Sequence, residues 1–174
     1  LDCAASEFFD GRNYILNATD ETFSSDGLID YYVKLIKKFD IKSIEDPLHE
    51  DDWDGWIKLT KELNGVQIVG DDIFVTQREL LKKGIDSHAG NAILIKPNQV
   101  GTLTESLESI KLAKENEFNT IISHRSGETE DSFIADLAVG VDAKQIKTGA
   151  PSRSDRNSKY NRLLIIENEL YPKK

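Results

Sequence analysis

Short apolar segments recur along the chain and alternate with longer stretches whose apolar residues are three or four positions apart. Segments of three to five mostly apolar residues are typical of strands that are buried on both faces of a sheet. They occupy residues 1–5, 41–44, 66–69, 92–95, 120–122 and 144–146. The sequence therefore predicts six short strands.

The stretches between these segments predict amphipathic helices, because their apolar residues fall on one stripe. The first helix has Leu28, Tyr32 and Leu35 on its stripe. Its candidate N-terminal cap is Ser25 or Asp26. Helices are predicted over residues 27–39, 52–63, 78–84, 102–116, 131–141 and 155–170. Residues 10–25 are polar and are expected to form a surface loop.

Strands that alternate with helices at this spacing are typical of βα units in a parallel sheet. A charged residue stands at or just after the end of each predicted strand, and such ends share one edge of the sheet. These residues are Asp2, Glu45, Asp71, Lys96, His124 and Lys147. Because that edge carries the active site of a TIM-type (β/α)₈ barrel, we predict an α/β barrel of this type. About six of its eight βα units are present, so two strands are expected on the N-terminal side.

Composition narrows the classes of function. The chain has 174 residues, of which 39% are apolar and 30% charged, the balance of a folded globular domain. Its net charge of −9 argues against nucleic acid or an anionic membrane as the main partner. No apolar run reaches the length of a transmembrane segment. Cys3 is the single cysteine, which fits a reducing compartment.

The chain contains no methionine and opens on apolar and small residues. A natural terminus usually has a polar lead-in, so we expect Leu1 to lie inside a longer protein. Removal of an initiator methionine is the alternative.

Three acids, Asp2, Glu45 and Asp71, end three consecutive predicted strands. Carboxylates that converge without an intervening lysine repel one another unless a cation joins them. Hard oxygen ligands suit Mg²⁺, so these acids predict a magnesium site. The alternative is that each acid faces solvent. Asp46 and Asp72 are adjacent, and spacing alone does not choose between Asp71 and Asp72.

The remaining strand ends carry basic and hydroxyl groups. Lys96 follows a buried strand, and a partly desolvated lysine suits a general base. One of Lys96 and Lys147 could be the base while the other stays charged and binds an anion, although each could simply extend its ammonium to water. The loop that contains His124, Arg125 and Ser126 offers a guanidinium and a hydroxyl, which suit a phosphate or carboxylate group.

The motifs at these strand ends, taken together, resemble enolase, the phosphopyruvate hydratase of glycolysis. The block Ser-His-Arg-Ser-Gly-Glu-Thr-Glu-Asp is very specific, and so is Gln-Ile-Lys-Thr-Gly-Ala-Pro. The motifs cover residues 1–8, 43–47, 71–72, 94–102, 123–131 and 145–151, and they follow in the order and spacing of that family.

The resemblance implies that residues 1–174 are the C-terminal part of an enolase-like barrel domain, whose N-terminal domain and first barrel strands are absent from this chain. It implies a hydro-lyase that dehydrates 2-phosphoglycerate reversibly to phosphoenolpyruvate with Mg²⁺. The matching residues are Asp2, Glu45 and Asp71 for the metal, Lys96 for removal of the C2 proton, Arg125 and Ser126 for the phosphate, Lys147 for the carboxylate, and His124 for the substrate side.

Further expectations concern the whole protein: a cytoplasmic homo-oligomer, a dimer or higher. The isolated chain is expected to be inactive and, unless its edges are covered, to associate or to be only marginally stable, because its sheet would have open edges. An acid-sugar dehydratase or racemase of the same superfamily is the alternative enzyme, and Arg125 and Ser126 speak against it. The C-terminal Lys173 and Lys174 resemble the tail through which surface-displayed or secreted enolases bind plasminogen, although two solvated lysines are the simpler interpretation.

Overall fold

A computed structural model describes residues 1–172 and contains a five-stranded parallel sheet, a separate two-stranded hairpin and seven helices in that range. The strands are β1 (Tyr14–Leu16), β2 (Glu21–Phe23), β3 (Ser43–Glu45), β4 (Gln67–Gly70), β5 (Ala92–Ile95), β6 (Asn119–Ser123) and β7 (Gln145–Lys147). The helices are α1 (Ser25–Lys38), α2 (Trp53–Glu62), α3 (Arg78–Ser87), α4 (Pro97–Val100), α5 (Leu103–Glu115), α6 (Phe133–Gly140) and α7 (Ser154–Leu170).

The parallel sheet has the simplest strand order, β3-β4-β5-β6-β7, with every neighbour next in sequence. All four pairs are parallel. At least one helix lies between each pair of consecutive strands, as each parallel crossover requires. Consecutive order without a reversal is the winding of a (β/α) barrel rather than of a doubly wound sheet. The predicted α/β class and βα alternation are therefore confirmed.

The two faces of the sheet have different partners. Side chains alternate between the faces along each strand. Ile44, Ile68 and Ile93 pack in the main core with residues of the helices, among them Trp56 and Leu81. The other face contributes a small separate apolar cluster, made of Val69, Ala92, Leu94 and Ile121. This second face is the interior of the barrel, and the helices cover the first.

Contacts inside the barrel show that the sheet is strongly curled. Gln67 on β4 and Gln145 on β7 exchange two side-chain hydrogen bonds of 3.0 and 2.8 Å. In a flat sheet, strands three positions apart would be separated by about 14 Å, beyond the reach of two glutamines. Asn119 on β6 and Ser43 on β3 join the same amide cluster. The strands therefore wrap around a common interior.

Two predictions near the N-terminus were wrong. Residues 1–5 form no full strand, because the backbone turns at Ala4, which has φ +45°. Asp2 alone makes a parallel bridge to Glu45, and a 3₁₀ turn, Ala5–Phe8, follows. The expected surface loop instead contains the β1–β2 hairpin, and Tyr14 within it is fully buried. Its hydroxyl accepts the His49 N–H at 2.9 Å, which fixes the hairpin on the loop after β3.

The N-terminal caps follow the expected chemistry with one shift in position. Ser24 caps α1 by accepting the Gly27 N–H at 3.2 Å, so neither Ser25 nor Asp26 is the cap. Ser25 donates instead to Asp52 at 2.5 Å. Asp52 itself caps α2. One carboxylate therefore links the start of α1 to the start of α2.

No helix within residues 1–172 combines the length and the apolar composition that crossing a membrane requires. The lysines of the expected plasminogen tail, Lys173 and Lys174, lie outside the described residues.

Phe74 is the packing centre beneath the β4–α3 connection. It is fully buried, and its ring lies 6.3–6.4 Å from the rings of Trp53, Trp56 and Phe118. A Cβ added at Gly84 in α3 would overlap the Phe74 ring. Because Phe74 follows Asp71 in the same turn, the packing around it also fixes the end of β4.

We expect Gly84→Ala to lower the free energy of unfolding by about 1–3 kcal/mol, the usual cost of overpacking a core. Gly140→Ala, at the end of α6, is the matched control, because no atom lies within 4 Å of its added Cβ. It should be neutral or stabilise the helix by about 0.5 kcal/mol. Urea denaturation of both variants measures the difference, and equal stabilities would contradict this packing.

Candidate active site

Five of the predicted residues meet at the C-terminal edge of the sheet, on the face that lines the barrel. Asp2 pairs with Glu45 at the end of β3, and Lys147 is the last residue of β7. Asp71 directly follows β4, and Lys96 directly follows β5. Side chains two positions apart in a strand point to the same face, so each of these charged residues lies on the interior face of the sheet. The alternation that buries the sheet therefore also directs these charges inward.

Lys147 joins strands from opposite ends of the sheet. Its Nζ donates to Asp2 Oδ2 at 2.8 Å and to Glu45 Oε1 at 2.6 Å. Burial lowers the pKa of Lys147, but its hydrogen bonds to the two carboxylates outweigh that effect and raise the pKa above its ordinary value. Burial raises the pKa of Glu45 in spite of the opposing effect of Lys147. Lys147 is therefore held as a charged group.

Lys96 makes the second contact between a lysine and an acid, to Asp71 Oδ2. Both side chains are largely buried, with exposures of 15% and 10%. Contrary to the premise of the predicted magnesium site, lysines do lie between the three acids Asp2, Glu45 and Asp71. Two ammonium groups already lie among the acids and offset part of their mutual repulsion.

Asp46 holds the end of β4 in place. Its Oδ1 accepts the Asp71 N–H at 2.9 Å, and its Oδ2 accepts the Asp72 N–H at 3.1 Å. Its own N–H donates to Val69 O at 3.0 Å, and its carbonyl accepts the Ala5 N–H. Its backbone has φ +42°, which turns the carboxylate toward β4. Burial raises the pKa of Asp46 to about 7, against the lowering effect of the two N–H groups.

The acids of this edge fit a divalent cation. Asp46, Asp71 and Asp72 each have a carboxylate oxygen within 4.8 Å of the others. Asp71 Oδ1 is buried and has no hydrogen-bond partner among residues 1–172. Together with Asp2 and Glu45 these are five acids beside two lysines, so negative groups exceed positive ones. An unpartnered buried carboxylate oxygen in such a cluster is a suitable cation ligand.

The loop after β6 lies beside this cluster. The His124 N–H donates to Lys147 O at 3.0 Å, which continues the ladder between β6 and β7. Burial lowers the pKa of His124, Glu128 opposes this effect, and the nearby positive charges of Arg156, Lys147 and Lys159 add to it. Arg125 and Ser126 are exposed, and their side chains make no hydrogen bond within the described residues. The structure places these two side chains free for a ligand rather than in the ion-pair cluster.

A comparison with known protein families assigns the chain to a family. The family model described as "Enolase, C-terminal TIM barrel domain" matches residues 1–173. The chain belongs to the enolase family. This match confirms the resemblance seen in the sequence and the predicted TIM-barrel class.

Curated enolases from three organisms resemble this enolase-family chain along its whole length. Those of Natranaerobius thermophilus and Methanococcus aeolicus are 54% identical to it, and that of Helicobacter pylori is 55% identical. The alignments cover 98–99% of this chain but 40–41% of the relatives. The chain therefore spans about two fifths of the length of these enolases.

Sequence reasoning found the charged strand ends but missed the role of Asp46, which it treated only as a spare acid next to Glu45. The available signal was the Glu-Asp-Pro motif, in which a second acid follows the strand end directly. In a regular strand, a residue next to Glu45 would point to the opposite face of the sheet. The positive φ of Asp46 turns the backbone, so that its carboxylate reaches the neighbouring backbone.

We expect Asp46→Asn to weaken divalent-cation binding by roughly 10–100-fold, the usual effect of removing an outer partner of a ligand. An asparagine offers one carbonyl oxygen, so either the Asp71 N–H or the Asp72 N–H loses its acceptor. Calorimetric titration with Mg²⁺ measures the affinity. Asp51→Asn, an exposed acid in the loop after β3, is the control and should bind like the unmodified protein. Unchanged affinity in Asp46→Asn would refute this role.

Proposed function

We propose that this chain forms part of an enolase that interconverts 2-phosphoglycerate and phosphoenolpyruvate, a hydro-lyase reaction of glycolysis. The observation that carries the proposal is the joined set of strand-end charges, Asp2, Glu45, Asp71, Lys96 and Lys147, in a chain of the enolase family. The whole protein is the longer enolase of which this chain is the C-terminal part.

The two lysines are assigned different roles because their surroundings differ. Lys147 contacts two carboxylates, which raises its pKa and keeps it charged. A charged lysine is a poor base but a good partner for the substrate carboxylate, whose negative charge grows when the C2 proton leaves. Lys96 contacts one carboxylate rather than two, and we assign it the removal of that proton, the role that the resemblance to enolases implies.

The exposed loop after β6 is assigned to the phosphate. Arg125 offers a planar fork of donors that matches phosphate oxygens, and Ser126 adds a hydroxyl. His124 begins this loop and is joined to Lys147 by a backbone hydrogen bond, and we assign it to the substrate side as the resemblance implies. A phosphate-binding arginine distinguishes this proposal from an acid-sugar dehydratase, whose substrate has no phosphate.

The proposed cofactor is Mg²⁺, held by Asp2, Glu45 and Asp71. The unpartnered Asp71 Oδ1 and the excess of acids at this edge support that choice. When bound, the ion would stabilise the negative charge that develops on the substrate carboxylate. Asp46 would keep Asp71 in position through the backbone of the same turn.

The remaining expectations stay predictions. They are the assembly into a dimer or larger homo-oligomer, the cytoplasmic location, a surface-displayed or secreted form with plasminogen binding, and the inactivity of the isolated chain.

We expect Lys96→Ala in the full-length enzyme to reduce turnover of 2-phosphoglycerate by roughly 10²–10⁴-fold, the usual contribution of a general base. Mg²⁺ binding should be retained, because the proposed ligands are all acids. Absorbance of the phosphoenolpyruvate formed gives the rate, and calorimetry gives the Mg²⁺ affinity.

The matched control for this experiment is Lys82→Ala. Lys82 is an exposed lysine that pairs with Asp86 on α3, and its loss should leave turnover unchanged. Turnover of Lys96→Ala within a factor of three of the unmodified enzyme would remove Lys96 from the role of base.

A further inference from the structure

A lysine outside the strand-end cluster is fully buried. Lys159 lies in α7 and has an exposure of 0%. Its Nζ donates to Thr129 O at 2.5 Å and to Asp155 O at 2.7 Å. No acid of residues 1–172 lies within ion-pair distance of it. An ammonium without a carboxylate partner is costly to bury, so its position needs an explanation.

The two partners of Lys159 are not equivalent. Asp155 O belongs to the same helix, one turn earlier, so that hydrogen bond is local. Thr129 O belongs to the loop between β6 and α6, thirty residues away in sequence. The contact with Thr129 therefore joins the loop that carries Arg125 and Ser126 to a rigid helix.

That loop has few other attachments among the described residues. At its start the His124 N–H donates to Lys147 O, and at its end Asp131 Oδ1 accepts the Phe133 N–H. The side-chain hydrogen bonds between these points are internal to the loop, from Thr129 N–H to Glu128 and from Asp131 N–H to Thr129 Oγ1. Lys159 thus holds the middle of a loop whose tip is exposed.

Positive charge is concentrated where this loop leaves the sheet. Burial lowers the pKa of His124 most, the Glu128 carboxylate opposes this, and the charges of Arg156, Lys147 and Lys159 lower the pKa as well. The three cations favour an anion at the base of the loop, and Glu128 is the acid of the loop that acts against them at His124. The buried ammonium is therefore placed both to hold the loop and to contribute to its affinity for anions.

We propose that Lys159 is a positioning residue, which holds the loop of residues 124–131 in the conformation that presents Arg125 and Ser126 to a phosphate group. This inference rests on the proposed function, because it assigns the loop to the phosphate of the substrate. Lys159 itself contacts neither substrate nor metal.

The test compares the full-length enzyme with its Lys159→Gln variant, which keeps a polar group but loses the charge and the reach. Trypsin cleavage after Arg125 reports loop opening and should accelerate about tenfold, because a hydrogen bond from a charged donor is lost. The KM for 2-phosphoglycerate should rise about tenfold while kcat changes by less than about threefold, since binding is lost more than chemistry.

The matched control is Lys114→Gln. Lys114 Nζ also donates to a backbone carbonyl, that of Val141, but away from the loop. This variant should keep the cleavage rate and the KM of the unmodified enzyme. Thermal unfolding of every variant separates a general loss of stability from a change confined to the loop.

Several results would overturn the inference. Lys159→Gln with an unchanged KM does so, whether cleavage is faster or not, and so does a lower melting temperature with unchanged cleavage and KM. A rate of trypsin cleavage after Arg125 that is slow and is the same in Lys159→Gln refutes the contact between Lys159 and the loop. If the unmodified enzyme does not turn over 2-phosphoglycerate, it is the proposed function that fails.

If Lys159→Gln does not fold, the unmodified enzyme labelled with ¹⁵N-lysine decides. A buried ammonium with two carbonyl partners exchanges its protons slowly and gives a separate NMR signal. That signal should shift when inorganic phosphate is added, because the anchored loop responds to the anion. A signal that does not move would overturn the inference.

Discussion

The curvature of the parallel sheet is the constraint on which the rest of the site depends, and the clearest sign of it is the contact of Lys147 with Asp2 and Glu45. This contact joins β7, the last strand of the sheet, to β3, which is four strand positions away. In a flat sheet these strands would lie about 19 Å apart, far beyond the reach of the side chains. The contact exists because the sheet curls, and the amide pair of Gln67 and Gln145 shows the same curvature at the opposite edge. Curvature therefore turns charges that are distant in sequence into one cluster.

Positions within the cluster are also set by hydrogen bonds to the backbone and by apolar packing. Asp46 fixes the turn after β4 through two N–H groups, and the packing of Phe74 against Gly84 supports the same turn from below. The ion pairs add to this support, since Lys147 donates to Asp2 at 2.8 Å and to Glu45 at 2.6 Å. A rigid turn after β4 keeps the acids in fixed positions, as preorganised sites require.

The sequence predicted the features that follow from periodicity. Strand ends with charged residues at the spacing of a βα unit placed Asp71, Lys96 and Lys147 on one edge, and the structure agrees. It did not predict the β1–β2 hairpin, because the stretch is mostly polar and its buried Tyr14 is held by hydrogen bonds to Asp52 and His49, which are distant in sequence. It also gave no indication that both lysines would contact the acids, since side-chain reach across a curled sheet is a tertiary property. Lys159 was missed for the same reason, because its partner Thr129 lies in a distant loop.

The most direct test of the account is to offer the full-length protein two substrates side by side with Mg²⁺ present, 2-phosphoglycerate and an unphosphorylated acid sugar. The account predicts conversion of 2-phosphoglycerate to phosphoenolpyruvate, no turnover of the acid sugar, and loss of the conversion when the metal is removed with a chelator. Turnover of the acid sugar in place of 2-phosphoglycerate would contradict the assignment of Arg125 and Ser126 to a phosphate. Absence of turnover with both substrates in a folded, Mg²⁺-binding protein would contradict the assignment of this edge as an active site.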